Sequence, residues 1–234
     1  GEHAVAEAGT ETVRHGGTRA RVLMFRNVFT KDVDRGDARQ VNPGAHHLIS
    51  ALHRDGHRVV LLDGKHPLQD VCSRPPPVDE QLAPDGVLTD PEELVRALDA
   101  HPDLDLVCLT VLERSFAQVR ELCRWIRARC DAWIAIGGPM PTASPEHCLA
   151  HLPEVDLLVR GDGESILPRI ARAVAGRRRS DDGARATLDA LRGEVGVAGR
   201  AGDVLMCAHL DRINRVRDLD DSPLDFDILE RDHV

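Results

Sequence analysis

Residues 103–110, DLDLVCLT, form a nearly continuous apolar run that ends on a threonine. Such a run is typical of a strand that is buried on both faces, as in a parallel sheet covered by helices. Ser115 and Gln118 have the spacing of a capping box, and an apolar helical stripe follows them to about Cys130. This stretch therefore predicts a strand followed by a helix, the unit from which parallel α/β folds are built.

The same unit recurs on both sides of this stretch. Strands are predicted at residues 21–26, 58–63, 103–110, 132–136 and 156–160, and helices at 42–56, 90–100, 115–130, from 144 onward, and 166–176. Strands that alternate with helices predict right-handed crossovers and a parallel sheet. We expect a Rossmann-like, flavodoxin-like five-stranded sheet of order 2-1-3-4-5, with a ligand crevice beyond the carboxyl ends of strands one and three.

The 234 residues are predicted to hold one domain with extensions, since domains commonly span roughly 100 to 200 residues. Residues 1–18 have no apolar segment and are expected to be a flexible leader. Residues 19–176 would form the domain, with a proline-rich insertion at 64–88. Residues 177–234 would add a linker, a short helix, a small hairpin and an acidic tail that leads toward a catalytic domain absent from the chain.

Charge and composition exclude several classes of function. Acidic residues outnumber basic ones by 39 to 30, which argues against nucleic acid or an anionic membrane as the main partner. No apolar run approaches the ~20 residues of a membrane span, and we expect a cytoplasmic protein with reduced thiols. The six cysteines show no spacing typical of a zinc site or an iron–sulfur cluster; they are Cys72, Cys108, Cys123, Cys130, Cys148 and Cys207.

Three distinctive loops, at residues 110–112, 137–139 and 161–164, follow strands at the same predicted edge of the sheet. Glycine allows a tight turn, and for any single glycine pair that explanation suffices. Together, however, Gly137 and Gly138 would let a bulky planar ligand approach the backbone, and the Thr110 hydroxyl could bind a ring nitrogen. The loops therefore predict a cleft for a heteroaromatic group. With no Tyr and only four Phe, binding would rely on backbone and small side chains.

Two segments resemble the B12-binding domain at the N-terminus of cobalamin-dependent radical SAM enzymes. Residues 135–142, AIGGPMPT, are similar to its GGPHPT-like loop, and residues 156–164, DLLVRGDGE, are similar to its D-xx-V-RGEGE segment. Residues 110–112 resemble its SxL element, with threonine in place of serine. Residues 218–223 resemble the linker before the radical SAM barrel. The resemblance extends over about residues 21–230.

The resemblance implies that cobalamin binds at this edge of the sheet. The residues implied are Asn27, Phe29, Thr110, Leu112, Gly137, Gly138, Pro139, Met140, Pro141, Arg160, Gly161, Gly163 and Glu164. Asn27 and Phe29 would lie under the corrin, and Thr110 would bind the dimethylbenzimidazole tail. Arg160 and Glu164 would bind corrin amides, although Glu164 could instead only stabilise the start of the next helix.

No histidine occurs between Arg26 and Val41, where methionine-synthase-like B12 domains carry D-x-H-x-x-G. The resemblance therefore implies base-off cobalamin without a histidine ligand. Residues 55–57, DGH, are the nearest similar segment and are predicted to end a helix. His46 and His47 lie in the first turns of the first helix, where a solvent-facing or capping role is expected. We assign no metal ligand.

Three hypotheses of function follow. The first is the cobalamin-binding part of a radical SAM enzyme, most often a methyltransferase, holding methylcobalamin or hydroxocobalamin. Its barrel, with S-adenosylmethionine and a [4Fe-4S] cluster, would lie outside this chain, which alone is not expected to be catalytic. The second is a stand-alone cobalamin carrier or small subunit that serves a partner chain. The third, a receiver or nucleotide-binding module, is disfavoured because GxGxxG and GxxxxGK motifs are absent.

Overall fold

The structure, a computed structural model, describes residues 19–26, 43–63, 96, 98–179, 182–202, 204–208, 210–216 and 223. Seven strands of this part form one sheet of order β2-β1-β3-β4-β5-β6-β7. They are β1 (Arg21–Arg26), β2 (Arg58–Asp63), β3 (Leu106–Thr110), β4 (Trp133–Gly137), β5 (Leu157–Val159), β6 (Val197–Ala201) and β7 (Val204–Ala208). The first five pair in parallel, which confirms the predicted Rossmann-like fold and its order 2-1-3-4-5.

Six helices are fully bounded in the described residues. They are α1 (Pro43–Arg54), α2 (Phe116–Arg129), α3 (Pro139–Ala143), α4 (Pro145–His151), α5 (Leu167–Val174) and α6 (Asp182–Leu191). Helix α3 is a difference from the sequence prediction, which treated residues 137–142 as a loop. Proline is tolerated in the first turn of a helix because its missing N–H has no partner to lose there, and Pro139 is the first residue of α3.

The capping box predicted at Ser115 and Gln118 does not form on α2, since the Ser115 side chain makes no capping hydrogen bond to that helix. A 3₁₀ turn, Glu113–Ser115, precedes α2, and Ser115 is its last residue. The Ser115 hydroxyl accepts from the Leu112 N–H at 3.1 Å and donates to the Leu112 carbonyl at 3.2 Å. It therefore fixes the chain directly after β3.

The C-terminal hairpin lengthens the sheet, whereas the sequence suggested an extension beside it. Strand β6 pairs antiparallel with β5, and β7 pairs antiparallel with β6 across a turn at Gly202, whose φ is 56°. The division into a domain at residues 19–176 and an extension at 177–234 stays a prediction, although both parts contribute to one sheet. The predicted leader, residues 1–18, lies outside the described residues, as does the insertion at 64–88.

Helices cover both faces of the sheet, and successive strand residues alternate between the two cores. One core packs the sheet against α1, α5 and α6, with Met24, Cys108 and Trp133 among its buried members. The other packs it against α2 and α4, with Cys123 and Ile134 among its members. In the described part of the chain, no helix is long and apolar enough to cross a membrane.

The buried carboxylate of Asp156, only 2% exposed, joins β4, β5 and α2. One oxygen accepts from the Ile134 N–H at 2.8 Å and from the Arg127 guanidinium, and the other accepts from Arg179. Burial raises the pKa of the Asp156 carboxyl, and Arg127 opposes that shift. This aspartate belongs to the segment 156–164 that carries the family resemblance, yet the contacts described make it a structural anchor.

The segment Asp55-Gly56-His57 ends helix α1, as predicted. Gly56 has a φ of 81°, which permits the left-handed turn that often follows a helix. Nδ1 of His57 accepts from the Ala20 N–H at 2.9 Å, so Nε2 carries the proton and faces the Asp55 carboxylate at 2.9 Å. This histidine is therefore occupied in joining α1 to β1.

Candidate functional site

A cavity of about 370 Å³ opens at the carboxyl edge of the sheet. Its walls come from the ends of β1, β3, β4 and β5, from the first turns of α1, and from residues 161–164, which we call the rim loop. It lies on the face that α1 and α5 cover. This is the crevice position expected from the strand order.

Met24, Cys108 and Ala135 form the floor of the cavity. They are register partners on three neighbouring strands, and each is at most 6% exposed. Burial raises the pKa of the Cys108 thiol far above its usual range. The thiol is therefore uncharged at neutral pH and behaves as a small, weakly polar group.

The cavity exists because side chains on this face are smaller near the carboxyl edge than at the start of the strands. The series runs from Leu106 through Cys108 to Thr110 on β3, and from Trp133 through Ala135 to Gly137 on β4. Large side chains fill the space under α1 and α5 near the start of the strands, and small ones leave it open at the end. The same helices can therefore cover a packed core and an open cavity.

Hydrogen bonds connect the three loops that the sequence singled out. The Val111 N–H donates to the Gly137 carbonyl at 2.8 Å. The Thr142 hydroxyl donates to the Gly138 carbonyl at 2.8 Å and accepts from the Gly161 N–H at 3.0 Å. Thr142 therefore holds the loops after β4 and β5 at a fixed separation, and we identify it as a positioning residue.

Gly138 is required by its surroundings as well as by its backbone. Its φ is 103°, a conformation that side chains disfavour. A Cβ atom there would lie 2.9 Å from Cγ2 of Thr110 and 3.2 Å from the Val111 carbonyl oxygen. The absence of a side chain therefore lets the loop lie directly against the end of β3.

Glu164 contributes the most unusual polar group of the cavity. Its Oε2 atom is buried and has no hydrogen-bond partner within the part of the chain that the structure describes. A buried oxygen without a partner costs free energy, commonly about 1–3 kcal/mol.

The structure brings most of the predicted residues together. Eight of them line the cavity, namely Thr110, Leu112, Gly137, Gly138, Pro139, Gly161, Gly163 and Glu164. Pro141 is buried, Met140 packs against the core on the other face, and Arg160 donates to the carbonyls of Thr142 and Leu210. These three are outside the described cavity wall. Asn27 and Phe29 lie outside the described residues.

Sequence reasoning missed the floor and the wall on helix α1. The missed lining residues include Met24, Gly44, Ala45, Leu48, Cys108, Ala135, Asp162 and Leu167. The decrease in side-chain size from Trp133 to Gly137 along β4 indicates open space at that end of the strand, but it does not indicate which residues of β3 lie beside it. A Cβ on Gly163 would lie 2.8 Å from Cδ2 of Leu48, so the rim loop approaches α1 closely, a contact that no sequence pattern indicates.

Neither His46 nor His47 of α1 belongs to the described wall of the cavity. His46 is 1% exposed, so the solvent-facing position suggested for it is wrong. Helix α1 places His46 beside the buried Ala45 and Ile49, which explains its burial. His47 is half-buried.

Residues 210–216, which we call the return segment, lie against the rim loop. The Asp162 N–H donates to the Asn214 carbonyl at 2.9 Å, and the Asn214 N–H donates to the Arg160 carbonyl at 3.0 Å. The Asp162 carboxylate accepts from the Val216 N–H at 2.8 Å. The chain after β7 therefore supports the loop that borders the cavity.

We expect Gly161→Ala to destabilise the protein by about 1–3 kcal/mol more than Gly176→Ala. Both glycines have positive φ, 96° and 67°. A Cβ on Gly161 would lie 2.2 Å from the Asn214 carbonyl oxygen, whereas nothing lies within 4 Å of one on Gly176. Urea unfolding of both variants measures the difference. Equal losses in the free energy of unfolding would show that the return segment moves away from the added methyl group at little cost.

Comparisons with known proteins agree with this geometry. The family model for the B12 binding domain matches residues 38–171, more than half of the chain. No curated protein sequence matches. Two solved structures of the radical S-adenosylmethionine methyltransferase TsrM from Kitasatospora setae are similar in fold, at 19% identity over 82% of this chain. Their TM-scores are 0.56, with tryptophan substrate and a SAM analogue bound, and 0.54, with cobalamin and a [4Fe-4S] cluster bound. The chain spans about 30% of their length.

Proposed function

Because the chain belongs to the B12-binding domain family, we propose that its cavity receives the nucleotide tail of base-off cobalamin and that the corrin ring lies over the cavity mouth. The observation that carries the proposal is the cavity itself, an apolar space at the carboxyl edge with polar groups at its rim. Gly137, Gly138 and Pro139, with the rim loop, would lie under the corrin.

The residues present fit such a tail. The floor is apolar and suits an aromatic base, while the Thr110 hydroxyl at the end of β3 can donate to a ring nitrogen. Gly137 and Gly138 line the cavity without side chains, so a planar group would meet their backbone at the strand end. The carboxylate of Glu164, which lines the cavity, would accept from a sugar hydroxyl or a corrin amide.

The base-off state follows from the same placement. A tail base that lies in the cavity cannot also bind cobalt from below the ring, so its place under cobalt has to be left open or filled by the protein. Residues 27–42, which follow β1 in the sequence, contain no histidine, and neither His46 nor His47 is in the described cavity wall. We therefore propose binding without a histidine ligand.

We further propose that the chain is the cobalamin-binding part of a cytoplasmic radical SAM methyltransferase. The fold similarity to TsrM over about 30% of that protein supports it, as does the resemblance of residues 218–223 to the linker before a barrel. S-adenosylmethionine and a [4Fe-4S] cluster would bind to the barrel, in cis or on a partner chain. Cobalamin, as methylcobalamin, would supply the methyl group, and this chain would hold and orient it.

Titration with hydroxocobalamin tests the proposal. We expect one equivalent to remain bound after desalting, with the absorption spectrum of base-off cobalamin. The same spectrum in His46→Ala and His47→Ala would agree with binding without histidine. A colourless protein after desalting would refute the function, and a histidine-type spectrum lost in either variant would refute the axial assignment.

Glu164→Met should weaken hydroxocobalamin binding about ten-fold without destabilising the ligand-free protein. The substitution removes an acceptor for the ligand and also removes an unpaired buried oxygen. If Glu164 only stabilises the start of α5, the free energy of unfolding of the variant should instead fall by up to about 1 kcal/mol. Its affinity for hydroxocobalamin should then be normal. Absorbance titration and thermal unfolding separate the two outcomes. Glu194→Met, which changes a carboxylate paired with Arg169 outside the described cavity wall, is the control.

A further inference from the structure

We propose that the cavity floor selects corrinoids by their lower base, favouring dimethylbenzimidazole over adenine. The inference rests on the proposed function and concerns Met24, Cys108 and Ala135. These residues were absent from the site that the sequence predicted, and they determine which chemical groups the deepest part of the cavity can accept.

The side chains at the floor offer almost no hydrogen bonding. Met24, Cys108 and Ala135 are joined by Val159 and Leu167, and each of these five is at most 6% exposed. A thioether and a neutral thiol are weak hydrogen-bonding groups, and the other three side chains have none. The described lining residues with stronger polar side chains are Thr110, Asp162 and Glu164, at the strand end and the rim loop.

The backbone of the floor is also occupied. Strand β3 lies between β1 and β4, and Cys108 pairs in register with Met24 on one side and Ala135 on the other. In such a ladder the peptide N–H and carbonyl groups bond to the neighbouring strands. Polar atoms of a ligand would therefore find no backbone partner at this depth.

The two bases differ at the edge that enters first. In each, the sugar is attached to the five-membered ring, so the six-membered ring enters deepest. Dimethylbenzimidazole presents carbon atoms and two methyl groups there. Adenine presents ring nitrogens and an amino group, which would lose water without gaining partners. One such unpaired group weakens binding about ten-fold or more.

Three corrinoids test the selection in direct titrations of the protein: cobalamin, its adenine-containing analogue, and cobinamide, which has no nucleotide. We expect cobalamin to bind at least ten-fold more tightly than the adenine analogue. Equal or tighter binding of the adenine analogue would overturn the selection and leave the proposed function standing. Failure of all three to bind would refute the proposed function, and equal binding of cobinamide and cobalamin would show that the tail does not use the cavity.

A hydroxyl on the floor should relax the selection. We expect Cys108→Ser to reduce the preference for cobalamin at least about three-fold, because the hydroxyl can pair with adenine. Ala135→Ser is the second variant at the same depth. Cys123→Ser changes a buried thiol on α2, in the other core, and should leave the preference unchanged. An unchanged preference in both floor variants would overturn the assignment.

Discussion

Cys108→Leu is expected to weaken cobalamin binding by about 100-fold or more while the ligand-free protein stays folded. The larger side chain would extend from the floor into the 370 Å³ cavity and occupy the space proposed for the tail. Exclusion of an aromatic base from an apolar site forfeits roughly 3 kcal/mol of burial, which corresponds to that loss. Absorbance titration measures the affinity, and thermal unfolding measures the stability.

The matched control is Cys123→Leu, the same change at a thiol that is 0% exposed on the opposite face. That site is packed among the helices of the other core, so added volume should cost about 1–3 kcal/mol. Binding should remain close to normal. The two variants are therefore expected to show opposite effects: one loses affinity and keeps stability, and the other does the reverse. Normal affinity in Cys108→Leu would show that the nucleotide tail does not bind in the cavity.

The strand order was predictable because burial on both faces leaves a local signal. The run at residues 106–109 is apolar at every position, which half-exposed strands are not. The carboxyl ends of parallel strands meet at one edge, so the glycine loops after β4 and β5 could be placed together without coordinates. For these reasons eight of the predicted residues line one cavity.

The floor could not be predicted in the same way, because it depends on register. Cys108 and Ala135 lie side by side only when β3 and β4 pair as observed, and a shift of β4 by one residue would turn Ala135 toward the other core. Arg160 shows the opposite case: its position after β5 matched a known pattern, but its guanidinium binds the carbonyls of Thr142 and Leu210. Side-chain direction is decided by tertiary partners.

Asp156 extends this lesson, because a position matched for its family resemblance is an anchor of the fold. Its carboxylate is the acceptor for the Ile134 N–H and for two guanidinium groups, those of Arg127 and Arg179. Arg127 also donates to the carbonyls of Ala132 and Glu154, so it joins α2 to the loops before β4 and β5. Loss of this carboxylate would affect three elements at once.

We therefore expect Asp156→Ala to destabilise the protein by about 3–5 kcal/mol, among the largest losses for one substitution. The change would leave a buried N–H without an acceptor and Arg127, whose side chain is 17% exposed, without its counter-charge. Asp189→Ala, which breaks an exposed pair with Arg192, should cost less than about 1 kcal/mol. Urea unfolding of both variants gives the comparison. Similar small losses in both would mean that water enters and solvates Arg127, and that the carboxylate is not needed to anchor α2.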